Sequence, residues 1–316
     1  MITCIGTIIA DILIKPVDRL PGQGELSMTE KIQLSPGGSA ANTSVMLART
    51  GSKVSLLGTL GNDSIGEYLM REYQKELVRT DGIKIFPATG STAIIVCINS
   101  KGERSFIAKY DNEYNYSLEH IRWEEIKKSR HLHFGGFYTF KNLVGANAAA
   151  LFKKAKNLGL TTSLDTIWDH TGKWLDNIRP CLPYVDFLMT NREEGLRITT
   201  KSTPKEISKS LIDAGANTVV VKLDKDGSLL HNTELDLLIP PYPAAVMDNT
   251  GAGDAFSAGF ITGLMKKLPL YKCCKLGNAF GSLNVRAMGA TGGIQSWDQI
   301  TTFLKESDPE LGKLIG

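Results

Sequence analysis

The chain is predicted to fold as an α/β domain with a mostly parallel central sheet flanked by helices. Three observations on its 316 residues carry that prediction. Short apolar runs bounded by turns alternate with longer segments of helical periodicity, the rhythm of βα units. Two stretches, 12–34 and 89–110, break the rhythm with strand-like alternation and no helix following. They read as a small β-lid grown from the edge of the sheet. No internal repeat and no low-complexity linker divides the chain, so residues 1–316 read as one domain.

The elements follow in order. Strands are expected at 3–9, 54–58, 93–99, 131–134, 161–165, 187–190, 218–222 and 228–231, each a short apolar run between turns. Helices are expected at 40–50, 64–76, 143–158, 203–214, 253–267 and 272–288. Thr203-Pro204-Lys205-Glu206 is a cap-and-proline helix start. Residues 91–108 read as a hairpin with Ser100-Lys101-Gly102 at its turn.

Composition excludes several classes. Apolar residues make up 42% and charged residues 22%, as in a globular protein. With 36 Lys plus Arg against 33 Asp plus Glu, the balance favours neither nucleic acid nor a membrane surface. Five cysteines without Cys-x-x-Cys spacing suggest reduced thiols in a cytoplasmic protein, with the adjacent Cys273 and Cys274 serving packing. The N-terminus is apolar but has no basic leader and is interrupted by Gly6 and Asp11, so it reads as a buried strand rather than a signal peptide. No apolar run reaches the length of a membrane span.

The segment from Val246 to Phe260 carries the chemistry. It runs through Asp248-Asn249-Thr250 and a Gly251-Ala252-Gly253 turn into a small-residue helix, with Asp254 where the helix begins. Free N–H groups and the helix dipole at such a start attract anions. A carboxylate beside them suits a general base that takes a proton from a hydroxyl while the amides stabilise a phosphoryl group. The plainer reading of Asp254 is a cap after a glycine-rich loop.

Two strings together carry a family resemblance. Asp248-Asn-Thr-Gly-Ala-Gly-Asp254 resembles the C-terminal signature of the ribokinase family, the phosphofructokinase B type of carbohydrate kinase. Ser35-Pro-Gly-Gly-Ser-Ala-Ala-Asn42 resembles the family's N-terminal Gly-Gly signature. The resemblance extends from residue 4 to about 293. It implies a ribokinase-like fold and transfer of the γ-phosphoryl group of ATP to a hydroxyl of a small carbohydrate, with Mg²⁺ as cofactor.

The resemblance also implies roles for individual residues. Asp254 is the base, and Gly251, Ala252 and Gly253 form the anion hole. Asp11, Gly38 and Asn42 bind the acceptor, with Asp11 expected just beyond the first strand. Asn191 and Glu194 match the family's Asn-x-x-Glu motif and hold Mg²⁺ through water; the same spacing also describes a capping Asn. Lys222 and Gly227 fit the nucleotide loop, although Asp224 stands where a glycine is usual, and Asn278 falls where the family lines the adenine pocket. Asp248 and Thr250, with residues 289–292, occupy a loop that binds a monovalent cation, K⁺, in many relatives.

Departures from the pattern withhold the acceptor. Ser39 replaces the lysine of ribokinases proper, Gly135-Gly136-Phe137-Tyr138 replaces a glutamate, and Asp165-Thr-Ile-Trp-Asp169 lacks the Asn and Arg of an Asp-x-Asn-x-Arg stretch. An aromatic pocket from Phe137, Tyr138 and Trp168 would suit a nucleoside, so a nucleoside kinase is the alternative within the fold. A non-catalytic sugar sensor is the alternative outside catalysis, opposed by the intact Gly-Ala-Gly-Asp. The absence of Gly-x-Gly-x-x-Gly after the first strand and of a P-loop string excludes a dinucleotide dehydrogenase and a P-loop kinase. Exposed lid edges predict a homodimer formed through the β-lid.

Overall fold

A computed structural model describes the chain except residues 16, 18, 88–89, 101–102 and 111–115. The elements run β1 (Ile2–Gly6), β2 (Ile9–Lys15), β3 (Lys31–Gly37), α1 (Ser39–Arg49), β4 (Val54–Gly61), α2 (Ser64–Lys75), β5 (Arg79–Phe86), β6 (Ile94–Ser100) and β7 (Glu103–Lys109). They continue α3 (Trp123–Ile126), β8 (His131–Gly135), α4 (Gly145–Asn157), β9 (Thr161–Asp165), α5 (Trp174–Ile178), β10 (Phe187–Asn191), α6 (Arg192–Thr199), α7 (Pro204–Asp213), β11 (Thr218–Lys222), β12 (Ser228–His231) and β13 (Asp236–Ile239). The chain closes with α8 (Ala252–Met265), α9 (Leu270–Asn284), α10 (Trp297–Ser307) and α11 (Pro309–Ile315).

Nine strands form the main sheet in the order β13-β12-β11-β10-β9-β8-β1-β4-β5. Every pairing from β11 to β5 is parallel, while β12 and β13 add antiparallel. All eight residues of β4 are buried, as a parallel strand covered on both faces requires. The α/β fold with a mostly parallel central sheet flanked by helices, expected from the sequence, is the fold observed.

The first predicted strand, 3–9, is in fact two strands in two sheets. β1 ends at Gly6, where φ is 146° and a Cβ would stand 1.9 Å from the Gly135 carbonyl oxygen. The chain then turns out of the main sheet and enters β2. A four-stranded second sheet, ordered β3-β2-β6-β7, is built from the two stretches that broke the βα rhythm. It begins at Ile9, three residues before the expected bound. β6 and β7 pair antiparallel from Ile94 with Lys109 to Ser100 with Glu103, as a hairpin demands; its predicted turn residues Lys101 and Gly102 lie outside the described residues.

Local chemistry fixes the helix starts. Asp63 caps α2 by accepting from the Gly66 N–H at 2.7 Å, and Thr203 and Glu206 form a reciprocal capping box on α7. Helix α8 is buried from Ala255 to Gly263 and packs on α9 through small residues. A Cβ on Gly259 would lie 2.6 Å from the Leu276 carbonyl oxygen, and one on Gly263 would lie 2.9 Å from the Cys273 Cα. Cys273 and Cys274 are free thiols buried in this contact, which agrees with a packing role. Among the described residues no helix is long and apolar enough to cross a membrane.

Candidate active site

The site is assembled where α8 begins. Gly251 is the residue preceding the helix, with φ at 74°, and its missing side chain lets the Ala290 carbonyl approach: a Cβ would stand 2.0 Å from that oxygen. Asp248 fixes the turn by accepting from the Thr250 N–H at 2.9 Å, the Thr250 hydroxyl at 2.7 Å and the Gly289 N–H at 3.0 Å. The Asn284 amide donates to the carbonyls of Thr250 and Ala290, which ties the two loops together. No side chain caps the helix, and the Gly253 and Asp254 N–H groups have no acceptor among the described residues. These are the free first-turn donors that an anion needs.

Asp254 lies inside the first turn of α8, not at the cap. Its Oδ1 accepts from the Ser39 hydroxyl at 2.7 Å and its Oδ2 from the Asn42 amide at 2.8 Å. Both donors stand on the first turn of α1, whose start is set by Gly38 at φ 97° with a Cβ position 2.4 Å from the Thr7 carbonyl oxygen. The two glycine-led helix starts therefore face each other across the carboxylate. Burial pushes the Asp254 pKa up to about 6; the Asn42 and Ser39 hydrogen bonds and the Lys222 charge oppose the rise, and the Asp165 charge adds to it.

Asp11 does not sit at the end of β1 as expected. It lies within β2 of the second sheet, opposite Ser35 in register, with its carboxylate over Gly37, where a Cβ would lie 2.1 Å from Oδ2. It still belongs to the site: burial and the neighbouring Asp254 charge push its pKa up to about 6. A cleft of about 240 Å³ opens between Leu13, Gln33 and Ser35 of this sheet and Asn42 and Arg49 of α1, with Met288–Gly292 along its side.

Beneath α8 lies a second cluster, at the carboxyl ends of three parallel strands. The Lys222 ammonium donates to both oxygens of Asp165, at 2.6 and 2.8 Å, and the Ser257 hydroxyl donates to Asp165 Oδ2 at 2.7 Å. Burial works against the Lys222 charge, but the carboxylates of Asp165, Glu194 and Asp254 outweigh it and raise its pKa. Asn191 caps α6, accepting from the Glu194 N–H at 2.8 Å while its amide donates to Glu194 Oε1 at 2.8 Å. The Thr166 hydroxyl donates to Glu194 Oε2 at 2.6 Å. Burial, partly offset by Lys222, pushes the Glu194 pKa up to about 7. Among the described residues no group of three or more His, Cys, Asp or Glu side chains could hold a metal ion. Asn191 and Glu194 offer hard oxygen donors already bound to neighbours, a set that fits Mg²⁺ held through its own water shell and not in a closed protein cage.

The remaining expected residues are placed differently. Gly227 closes the turn between β11 and β12 at φ 90°, and a Cβ there would lie 2.1 Å from the Ile239 carbonyl oxygen. Asp224, standing where a glycine is usual, adopts φ 52° all the same, a conformation that Asp tolerates better than most residues. The Asn278 amide is spent on the carbonyls of Ile239 and Pro240, at 3.2 and 2.9 Å. Phe137 and Tyr138 are buried, at 0% and 3% exposure. Both are core residues, packed edge-on to each other, and the Tyr138 hydroxyl donates to the Trp174 carbonyl. Trp168 is half exposed, edge-on to Trp174 and beside Arg197. Asp165, Ser257, Ser39 and Asn284 were not expected in the site. Asp165 had a readable signal, an acid ending a predicted strand; Ser257 and Asn284 look like ordinary helix positions until α8 and α9 are packed.

Residues 1–297 match the description of the pfkB family carbohydrate kinases. The chain is 27% identical over 276 residues to an ATP-dependent 6-phosphofructokinase of Thermoanaerobacterium thermosaccharolyticum, covering 84% of each chain. It is 26% identical over 312 residues to a ribokinase of Lactococcus lactis, covering 98% of this chain and 99% of that one. Its fold is similar to the crystal structure of a Thermotoga maritima ribokinase, with a TM-score of 0.82 at 23% identity over 96% of this chain and 99% of that one. With its two glycine-led helix starts closing on Asp254 and the family match spanning nearly its whole length, the chain belongs to the pfkB family of carbohydrate kinases.

Proposed function

We propose that this kinase transfers the γ-phosphoryl group of ATP to a hydroxyl of a small carbohydrate, with Asp254 as the general base. The observation that carries the proposal is the Asp254 carboxylate beside the Gly253 and Asp254 N–H groups, which have no acceptor among the described residues, with Ser39 and Asn42 fixing its two oxygens. Asp254 takes the proton of the acceptor hydroxyl as its oxygen attacks the γ-phosphorus. The bond to the bridging oxygen of ADP breaks, and the charge of the transferred group falls at the Gly251–Gly253 turn, where the Ala252 N–H already donates to the Asn249 carbonyl and the Gly253 and Asp254 amides are left to receive it. Asp11, Gly38 and Asn42 hold the acceptor beside Asp254, and of the three Asn42 also lines the cleft against the second sheet. Lys222, Gly227 and Asn278 border the nucleotide, the last two by shaping the turns around it. Mg²⁺ supplies charge neutralisation to the phosphates, with Asn191 and Glu194 as its water-mediated protein partners. K⁺ activation belongs to the same reading, through the carbonyls of the 248–250 and 289–292 loops that Asn284 draws together.

The relatives named above act on different acceptors at nearly equal identity, so the acceptor is decided by assay. A panel of pentoses, hexoses, their phosphates and nucleosides, assayed for ADP release, is expected to give turnover with a carbohydrate. Turnover with nucleosides alone would transfer the reading to a nucleoside kinase, which the core placement of Phe137 and Tyr138 disfavours. No ADP release with any acceptor would favour a sensor.

Glu194→Gln is expected to raise the Mg²⁺ concentration needed for half-maximal rate and to lower kcat by about tenfold to a hundredfold. A magnesium titration checks this, and an unchanged curve removes Glu194 from the metal site.

The second sheet acts as a lid over the acceptor. Its face opposite Asp11 carries Ile14, Ile32, Leu34, Val96 and Ile107, with Ile32 and Ile107 68% and 65% exposed. A second copy of the chain covers this face and makes the protein a cytoplasmic homodimer. Light scattering is expected to give twice the chain mass, and Ile32→Lys to give the monomer. Lid amides are expected to gain hydrogen-exchange protection with the true acceptor; equal protection in both states would make the lid a static wall.

A further inference from the structure

We infer that Asp165 is a positioning residue for phosphoryl transfer, holding the Lys222 ammonium, with the help of Ser257, against the first turn of α8 where that charge faces the transferred group. The inference rests on the kinase reading above and adds a residue that the reading does not use.

Three features converge on it. Asp165 is 2% exposed, yet its carboxylate is fully engaged, with two contacts from Lys222 and one from Ser257. It ends β9, Lys222 ends β11, and Ser257 stands one turn below Gly253 on α8, so one carboxylate joins two strand ends to the catalytic helix. The ammonium lies 3.1 Å from the position a Gly253 Cβ would take, so the glycine leaves room for a charge right beside the free amides.

A buried ion pair whose only task is to join two strands is a poor device. Desolvating both charges costs about as much as their attraction returns, and apolar residues of similar size do as well. This pair lies at the end of α8 that binds anions, where a fixed positive charge favours the transfer state. Asp165 also decides where Lys222 points. Glu194 and Asp254 both attract the same ammonium. Without the double contact from Asp165, Lys222 is free to pair with Asp254 and block the base.

The test uses Asp165→Asn, Lys222→Met, the double variant Asp165→Asn/Lys222→Met, and Ser257→Ala, each measured by thermal unfolding and by kcat and acceptor KM. Each charged-site single variant leaves one buried charge alone and is expected to unfold at lower temperature. The double variant removes both charges and is expected to regain most of that loss, while its kcat stays about a hundredfold below wild type and its acceptor KM moves less than about threefold. Ser257→Ala is expected to lower the melting temperature less than either charged-site single variant and to lower kcat several-fold. A double variant with wild-type kcat overturns the inference, because the pair is then scaffolding alone. If the double variant does not fold, Ser257→Ala decides: an unchanged kcat overturns it and a lowered kcat at unchanged KM upholds it. All values are ratios to wild type, whose own turnover on the acceptor panel tests the kinase reading separately.

Discussion

Asp254→Asn is expected to lower kcat by about three orders of magnitude and to leave ATP binding nearly unchanged. The amide keeps the size of the carboxylate, so the first turn of α8 and its free N–H groups persist, but it cannot accept the acceptor's proton. The loss falls on the transition state and not on ground-state binding. Wild-type kcat/KM should also fall on the acid side through about pH 6. The sign follows from the direction of the shift: burial raises the Asp254 pKa from 3.8 to about 6, so the base gains its proton, and activity is lost, as pH drops through that value. Asp11 titrates in the same window. Asp11→Asn is therefore expected to raise the acceptor KM while the acid limb remains. Stopped-time assays of ADP release with isothermal titration of ATP check both parts. An Asp254→Asn enzyme with near-normal turnover would reduce Asp254 to a piece of helix-start architecture.

Gly251→Ala is the second large effect, and it acts through the backbone. The position has φ 74°, which costs a residue with a Cβ about 1–2 kcal/mol. The new methyl would stand 2.0 Å from the Ala290 carbonyl oxygen, a backbone atom that cannot swing aside. Overpacking of this kind adds about 1–3 kcal/mol, for a total of about 2–5 kcal/mol. The strain is relieved by parting the loops that Asp248 and Asn284 hold together, so the anion hole opens and turnover falls with stability. Gly159→Ala is the matched control, with φ at 81° and nothing within 4 Å of its Cβ position. Differential scanning calorimetry should place Gly251→Ala clearly below the control. Equal melting temperatures and equal turnover would mean that the loops do not depend on this close approach.

Much of this site could be read before the fold was known, for reasons that differ between residues. The glycine-led starts of α1 and α8 announce themselves because a left-handed residue followed by a small-residue helix leaves a local mark. That two such starts face each other, so that Ser39 and Asn42 grip a carboxylate more than 200 residues away, is a product of sheet order and has no local mark. The run at 3–9 shows the same limit. Its apolar pattern continues across Gly6, while the reason for the break, a Gly135 carbonyl oxygen 1.9 Å from where a Gly6 Cβ would stand, lies on another strand. Phe137 and Tyr138 take the core alternative, the commoner place for strand-end aromatics, whose sequence signature is the same whether they turn into the cleft or into the core. β5, β13, α6, α10 and α11 fall outside the elements expected from the sequence.

The tight seam between α8 and α9 has a consequence for natural variation. Gly259 and Gly263 do not line the cleft, yet any side chain there drives a wedge between two helices and tilts the one that bears Asp254. With a helical rise of about 1.5 Å per residue, Gly259 lies only about 8 Å along the axis from that carboxylate. In a saturation screen these glycines should therefore score as intolerant as the base itself, and a clinician or breeder sorting alleles by distance to the cleft would misjudge them.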